Sequence, residues 1–144
     1  MATGNFDLTD QGRAALRYLD RDAAEACFRQ ALEETPDFVD AIAGLGQVAY
    51  ERGELAVAAR EFDRAVTLAK QQLGGDWPTK LRYSDPTERS YLRALHGVGL
   101  VLYRRGNAAA AQETFTFERQ LDPADHQGSR FLLAKIKRGQ AWGR

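Results

Sequence analysis

Residues 50–66 read YERGELAVAAREFDRAV. A glycine, Gly53, punctuates a helical pattern, and a small residue and an aromatic, Ala58 and Phe62, follow it four places apart. The same wording occurs twice more, as YLDRDAAEACFRQAL over 18–32 and YRRGNAAAAQETFTFER over 103–119. Ala24 and Phe28, Ala58 and Phe62, and Ala111 and Phe115 keep one spacing throughout. Three residues after each Phe come Ala31, Ala65 and Glu118, and five further on Pro36, Lys70 and Pro123. Sixteen residues before each Phe lie Gly12, Gly46 and Gly99, and four before those Leu8, Ile42 and Leu95. One such pair arises by chance, but a whole set returning in register marks an internal repeat.

The set resembles the tetratricopeptide repeat, a helix–turn–helix unit of about 34 residues with a small-residue and aromatic signature. The second copy matches best, through Ile42, Leu45, Gly46, Gly53, Ala58, Phe62 and Ala65, with Tyr50 one place late. The resemblance runs from about residue 5 to 123. It implies an all-α fold, a right-handed superhelical α-solenoid of three helix pairs plus a C-terminal capping helix, about seven helices in all. A single domain over 1–144 then divides into repeat 1 (about 5–37), repeat 2 (about 38–73), an insertion (about 74–86), repeat 3 (about 87–123) and the cap (about 124–138). The expected helices are 7–19, 22–34, 38–52, 54–73, 87–105, 108–121 and 124–138.

The physics of stacked helix pairs explains these residue types. Glycine and alanine let helix axes approach, and the phenylalanines fill the space between successive helices. Truncating a buried one to Ala costs about 3–5 kcal/mol. Gly53 and Gly106 suit the left-handed residue at a helix end, and Asp20 takes the next turn position in the first copy. One repeat cannot bury its own face, so the stack needs a cap. Asp122-Pro123-Ala124-Asp125 reads as a helix start. Phe131, Leu132, Leu133 and Ile136 would then face the last repeat, with Lys135, Lys137 and Arg138 solvated.

Two places break the pattern. Phe28 and Phe62 are 34 residues apart, whereas Phe62 and Phe115 are 53 apart, an excess of 19. The excess falls in KQQLGGDWPTKLRYSDPTER, residues 70–89. Lys70 replaces a stopping proline, so the helix runs on until Gly74-Gly75. Asp85-Pro86-Thr87-Glu88 restarts the chain with an N-cap, a proline at the first turn and a glutamate reaching back. Trp77, Leu81 and Tyr83 anchor the loop between, and Trp77 and Tyr83 are candidate ligand contacts. The second break is TFTFE at 114–118, where Glu118 holds a position meant for a small buried residue and Phe117 one meant for a polar residue. A buried unpaired carboxylate is costly, so either the helix is rotated in a local repacking at the last repeat, or Glu118 pairs with a basic residue of the capping helix such as Arg130. An exposed Phe117 joined by Trp142 would make a self-association patch.

Bulk composition narrows the function. Twenty Lys+Arg balance twenty Asp+Glu, which argues against a general nucleic-acid binder. One cysteine, Cys27, makes no internal disulfide, and with His96 and His126 it forms no metal-ligand set. No cofactor is expected. The N-terminus lacks a signal-peptide pattern and no apolar run spans a membrane, so a cytoplasmic protein without membrane insertion is expected. His96 and Cys27 lie on different repeats with no orienting partner, so no catalytic constellation is read.

The resemblance also implies a concave surface lined by the first helix of each pair. Carried over, it places there Thr9, Arg13, Leu16 and Arg17, then Asp40, Ala43, Gln47, Tyr50 and Glu51, then Arg93, His96, Gly97, Leu100, Tyr103 and Arg104. Gln127, Arg130 and Lys137 could join from the cap. Arginines outnumber carboxylates in this set, and guanidinium forks grip carboxylates in a bidentate way. The expectation is a non-catalytic scaffold that binds a peptide or protein segment, acidic in character, through Arg13, Arg17, Gln47, Tyr50, Arg93, His96, Tyr103, Arg104 and Arg130. The alternative is a structural scaffold that self-assembles as a homo-oligomer through repeat ends, the 74–86 loop or Phe117 and Trp142. Chaperone-binding members hold a C-terminal carboxylate with a Lys/Asn/Arg clamp. The corresponding places here are Thr9, Arg13, Gly44, Arg93 and Gly97, of which only Arg93 fits.

Overall fold

A computed structural model describes residues 4–143. Among them the chain forms seven α-helices and no strand: α1 (Phe6–Arg17), α2 (Arg21–Glu34), α3 (Val39–Glu51), α4 (Leu55–Gln72), α5 (Pro86–Arg104), α6 (Ala108–Leu121) and α7 (Ser129–Lys137). Helices α1/α2, α3/α4 and α5/α6 pack as pairs, α3 touches both α1 and α5, and α7 closes the array on α6. None of the described helices is long and apolar enough to cross a membrane.

Asn5, Asp20, Asp85 and Asn107 cap their helices through side-chain oxygens that accept from the third residue on, satisfying otherwise orphaned amides. The three turns inside the pairs share one geometry, with a left-handed residue in the middle. Gly53 and Gly106 take it at φ 78° and 88°, and Leu19 takes it in the first copy at φ 62°. Asp20, at the next turn position, is the N-cap of α2.

The repeated phenylalanines are gripped by glycines from two successive pairs. A Cβ on Gly12 would come within 2.8 Å of the Phe28 ring, and one on Gly44 within 2.4 Å. Gly46 and Gly97 bracket Phe62 in the same way, at 2.9 and 2.2 Å. Gly44 and Gly97 therefore serve the stacking of one pair on the next, where any side chain would wedge the pairs apart.

The insertion packs on the second-helix side of the stack. Trp77 meets Phe117 edge-on, with ring centroids 5.7 Å apart. Leu81 is buried and its amide donates to the Leu121 carbonyl at 2.9 Å, closing α6. Tyr83 lies flat on His126 at 4.6 Å, with Arg89 on the tyrosine ring. Asp85 caps the Glu88 amide as expected, and Glu88 reaches back to the Arg82 amide and guanidinium. Phe117 thus stands in its polar place because the loop covers it.

The capping helix starts later than expected. Residues 122–128 form turns, with Asp125 at φ 57° and Gly128 at φ 73°. Asp125 then caps α7 from outside, accepting from the Ser129 and Arg130 amides at 2.8 and 3.1 Å. This shift rotates the helix face. Ile136 is buried, Leu132 and Leu133 are half-buried, and Phe131 points outward under the Arg130 guanidinium.

Candidate functional site

Asp40, at the start of α3, is fully buried among the first helices. Its Oδ2 accepts from Arg13 Nη1 of α1 at 2.9 Å, and its Oδ1 from Arg93 Nη1 of α5 at 3.2 Å. Arg13 also donates Nη2 to the Asp40 carbonyl at 3.2 Å and lies over the Phe28 ring. One carboxylate thereby ties all three helix pairs together on their inner face. Burial pulls the Arg13 guanidinium below its ordinary value, and the Asp40 charge opposes that pull. Arg13 is spent on the fold. Arg93 commits only Nη1 among the described side chains and keeps a quarter of its side chain exposed.

A cavity of about 400 Å³ opens beside this clasp. Arg13, Gln47, Tyr50, Arg93 and His96 line it, as the repeat geometry implied, together with Phe62, Leu100, Glu51 and Gln127. Gln47 leans on Glu51 at 3.2 Å. Arg17 is exposed and lies outside the cavity lining. Thr9 is buried and donates to the Phe6 carbonyl, so it offers nothing to a ligand.

Glu118 explains His96. The carboxylate is 1% exposed, yet both oxygens are satisfied. His96 Nδ1 meets Oε1 at 2.8 Å, while Ser129 Oγ and Gln127 Nε2 donate to Oε2 at 2.8 and 3.1 Å. Arg130, the basic partner considered for it, instead pairs with Asp125 at 2.9 Å. His96 does have an orienting carboxylate, contrary to the expectation. The serine is nevertheless not poised as a nucleophile: Ser129 Oγ shares Nδ1 with the carboxylate, at 3.1 Å, and is fully buried. Nucleophilic activation needs the serine on the opposite ring nitrogen. The network joins α5, α6 and α7.

At the far end of the concave face the chain after α7 turns back. Gly139, left-handed at φ 73°, lets its amide and that of Gln140 donate to the Ile136 and Lys135 carbonyls. Tyr103, buried, donates its hydroxyl to the Gln140 carbonyl at 2.7 Å. Trp142 donates Nε1–H to the Tyr50 hydroxyl at 3.0 Å, with Arg104 lying 4.3 Å from its ring centroid. Tyr103 and Arg104, expected as free groove residues, are engaged here. Trp142 and Phe117 accordingly do not form one patch, since Trp77 faces Phe117 and Trp142 sits at Tyr50. Trp77 and Tyr83 line no part of the cavity. Among the described residues no cluster of His, Cys, Asp and Glu could hold a metal.

Residues 9–72, the first two helix pairs, match the family model described as tetratricopeptide repeat. Over these residues the chain carries tetratricopeptide repeats. The third pair keeps the geometry of this repeat beyond the matched residues, with Gly99 against Phe115 as Gly46 is against Phe62. The first TPR of Spaghetti (RPAP3), solved bound to the HSP90 peptide SRMEEVD, superposes with a TM-score of 0.71 at 17% identity, over 93% of each chain. An O-GlcNAc transferase mutant from Thermobaculum terrenum superposes with a TM-score of 0.69 at 22% identity, over 90% of this chain and 21% of the transferase. At these identities the likeness is one of fold. No curated protein matches the sequence. The repeat signature made Arg13, Gln47, Tyr50, Arg93 and His96 legible in advance. Glu118 was visible only as a misfit, and nothing in the local sequence joined Gln140 and Trp142 to the face they cover.

Proposed function

We propose that this TPR chain is a non-catalytic protein-interaction scaffold whose concave cavity binds an extended, acidic segment of a partner protein. The observation that carries this is the charge balance at the clasp: two guanidiniums share the single carboxylate of Asp40, and Arg93 has donors left over beside the cavity. A surplus fork at the edge of a half-apolar cavity favours a carboxylate, which it can grip through two parallel bonds. Gln47 and Tyr50 add polar reach, while Phe62 and Leu100 add apolar wall. The peptide carried by the RPAP3 domain is itself acidic, and the shared fold supports a peptide-sized ligand. The clamp used by chaperone-tail binders is absent except at Arg93, so the reading is of an acidic segment in general and not of that tail.

A peptide array graded from zero to several acidic residues per heptamer tests the reading. Signal should rise with acidic content and fall when the array is probed with Arg93→Ala. A signal indifferent to acidic content contradicts it.

A further inference from the structure

Residues 139–143 lie on side chains that α3 and α5 present to them. Arg104 is fixed by donating Nη1 to the Tyr50 carbonyl at 2.8 Å, and its guanidinium lies over the Tyr50 ring at 4.9 Å. Tyr103 is held in the core beneath, only 3% exposed, with its hydroxyl as the outward polar tip. The strap adds to this platform an indole, a ring N–H and one backbone carbonyl. The indole at its end is only partly covered: Trp142 remains 43% exposed and makes one side-chain hydrogen bond and one cation–π pair. A rigid platform under a lightly held aromatic has the anatomy of a binding subsite with a resident occupant.

We propose that Tyr50, Tyr103 and Arg104 form an aromatic subsite for an indole-bearing extended segment of a partner protein, and that Trp142 fills it in cis. The platform reads three features together. The guanidinium plane takes the π face, the Tyr50 hydroxyl takes the indole N–H, and the Tyr103 hydroxyl takes a main-chain carbonyl two residues earlier in the segment. Tyr50 also lines the central cavity, so a segment seated on the platform continues into that cavity. The strap therefore guards one end of the concave face. A tether of this kind presents its ligand at about millimolar effective concentration, so an incoming segment must compete with it. The subsite shares Tyr50 with the acidic-segment reading but rests on Arg104 and not on Arg93, so the two fail separately.

The test uses the full chain as wild type and as Trp142→Ala, with two synthetic peptides, RGQAWGR and RGQAAGR, titrated by NMR. Trp142→Ala alters a half-exposed side chain and leaves the fold intact. The Trp peptide is expected to bind the variant about tenfold or more tighter than it binds wild type, and about tenfold tighter than the Ala peptide. Adding Arg104→Ala to the variant should abolish that preference. Equal binding of the two peptides by Trp142→Ala, or of the Trp peptide by both chains, overturns the proposal. Sedimentation of wild type over a concentration range should show no association that Trp142→Ala removes. Such association would place the strap on a second copy and overturn the cis occupancy.

Discussion

Arg93 of the third helix pair reaches Asp40 of the second at 3.2 Å, across 53 residues of sequence. The contact does two things at once. It completes a clasp begun by Arg13 in the first pair, and it fixes a guanidinium at the cavity edge with donors to spare. Under the proposed function, stacking and recognition share one ionic centre in this chain.

The clasp makes Asp40 the most sensitive charged residue on the inner face. Removing one partner of a buried pair leaves the other charge uncompensated, which costs about 3–5 kcal/mol. Asp40→Asn should therefore lower the urea midpoint sharply, because the Arg13 side chain is mostly shielded from solvent, with no other carboxylate bonded to it among the described residues. Arg93→Ala should cost far less, since Asp40 keeps Arg13. Parallel denaturation curves check the ranking.

Leu19 holds a left-handed conformation that its counterparts give to glycine, and it is 68% exposed. An L side chain there costs roughly 1–2 kcal/mol, partly offset by the greater unfolded-state freedom of glycine. Leu19→Gly should stabilise the protein by about 0.5–1 kcal/mol, read as a rise in melting temperature. Gly53→Leu should do the reverse.

The same turn shows what the sequence could convey. Phe28, Phe62 and Phe115, with their alanines, announce themselves because stacking imposes one register on all three pairs. In the first copy the left-handed residue is not legible, because Leu19 has no turn chemistry and only its neighbour Asp20, the cap, signals the turn. The start of α7 was misplaced for a related reason. Asp122-Pro123 has the chemistry of a helix start, yet the left-handed Asp125 and Gly128 delay the helix until Ser129. Pairings such as Arg13 with Asp40 join residues 27 apart, and no local pattern records them. Listing the charges of the groove was possible from sequence, but finding which were already spent required the fold.

Glu118 should prove a fastener for the cap. Glu118→Ala leaves His96, Ser129 and Gln127 without their shared acceptor, a loss on the order of 3 kcal/mol. Because Ser129 and Gln127 lie at the start of α7, amide exchange across Ser129–Lys137 should accelerate well before exchange in α3 and α4. Uniform acceleration throughout the chain would instead mean that the network supports the whole stack.

The insertion should matter for stability and not for binding. An edge-to-face aromatic pair contributes about 0.5–1.5 kcal/mol beyond area burial, so Trp77→Ala should destabilise by at least about 1 kcal/mol. Peptide affinity should be unchanged, because the loop packs on α6 and away from the cavity. A drop in affinity without a drop in melting temperature would reverse that assignment.

Calorimetric titration of the strongest acidic heptapeptide from the array into wild type and Arg93→Ala bears most directly on the central claim. Charge-assisted hydrogen bonds contribute about 1.5–3 kcal/mol, so the variant should bind roughly tenfold or more weakly at low salt, with its melting temperature little changed. The same affinity for both proteins would contradict the account.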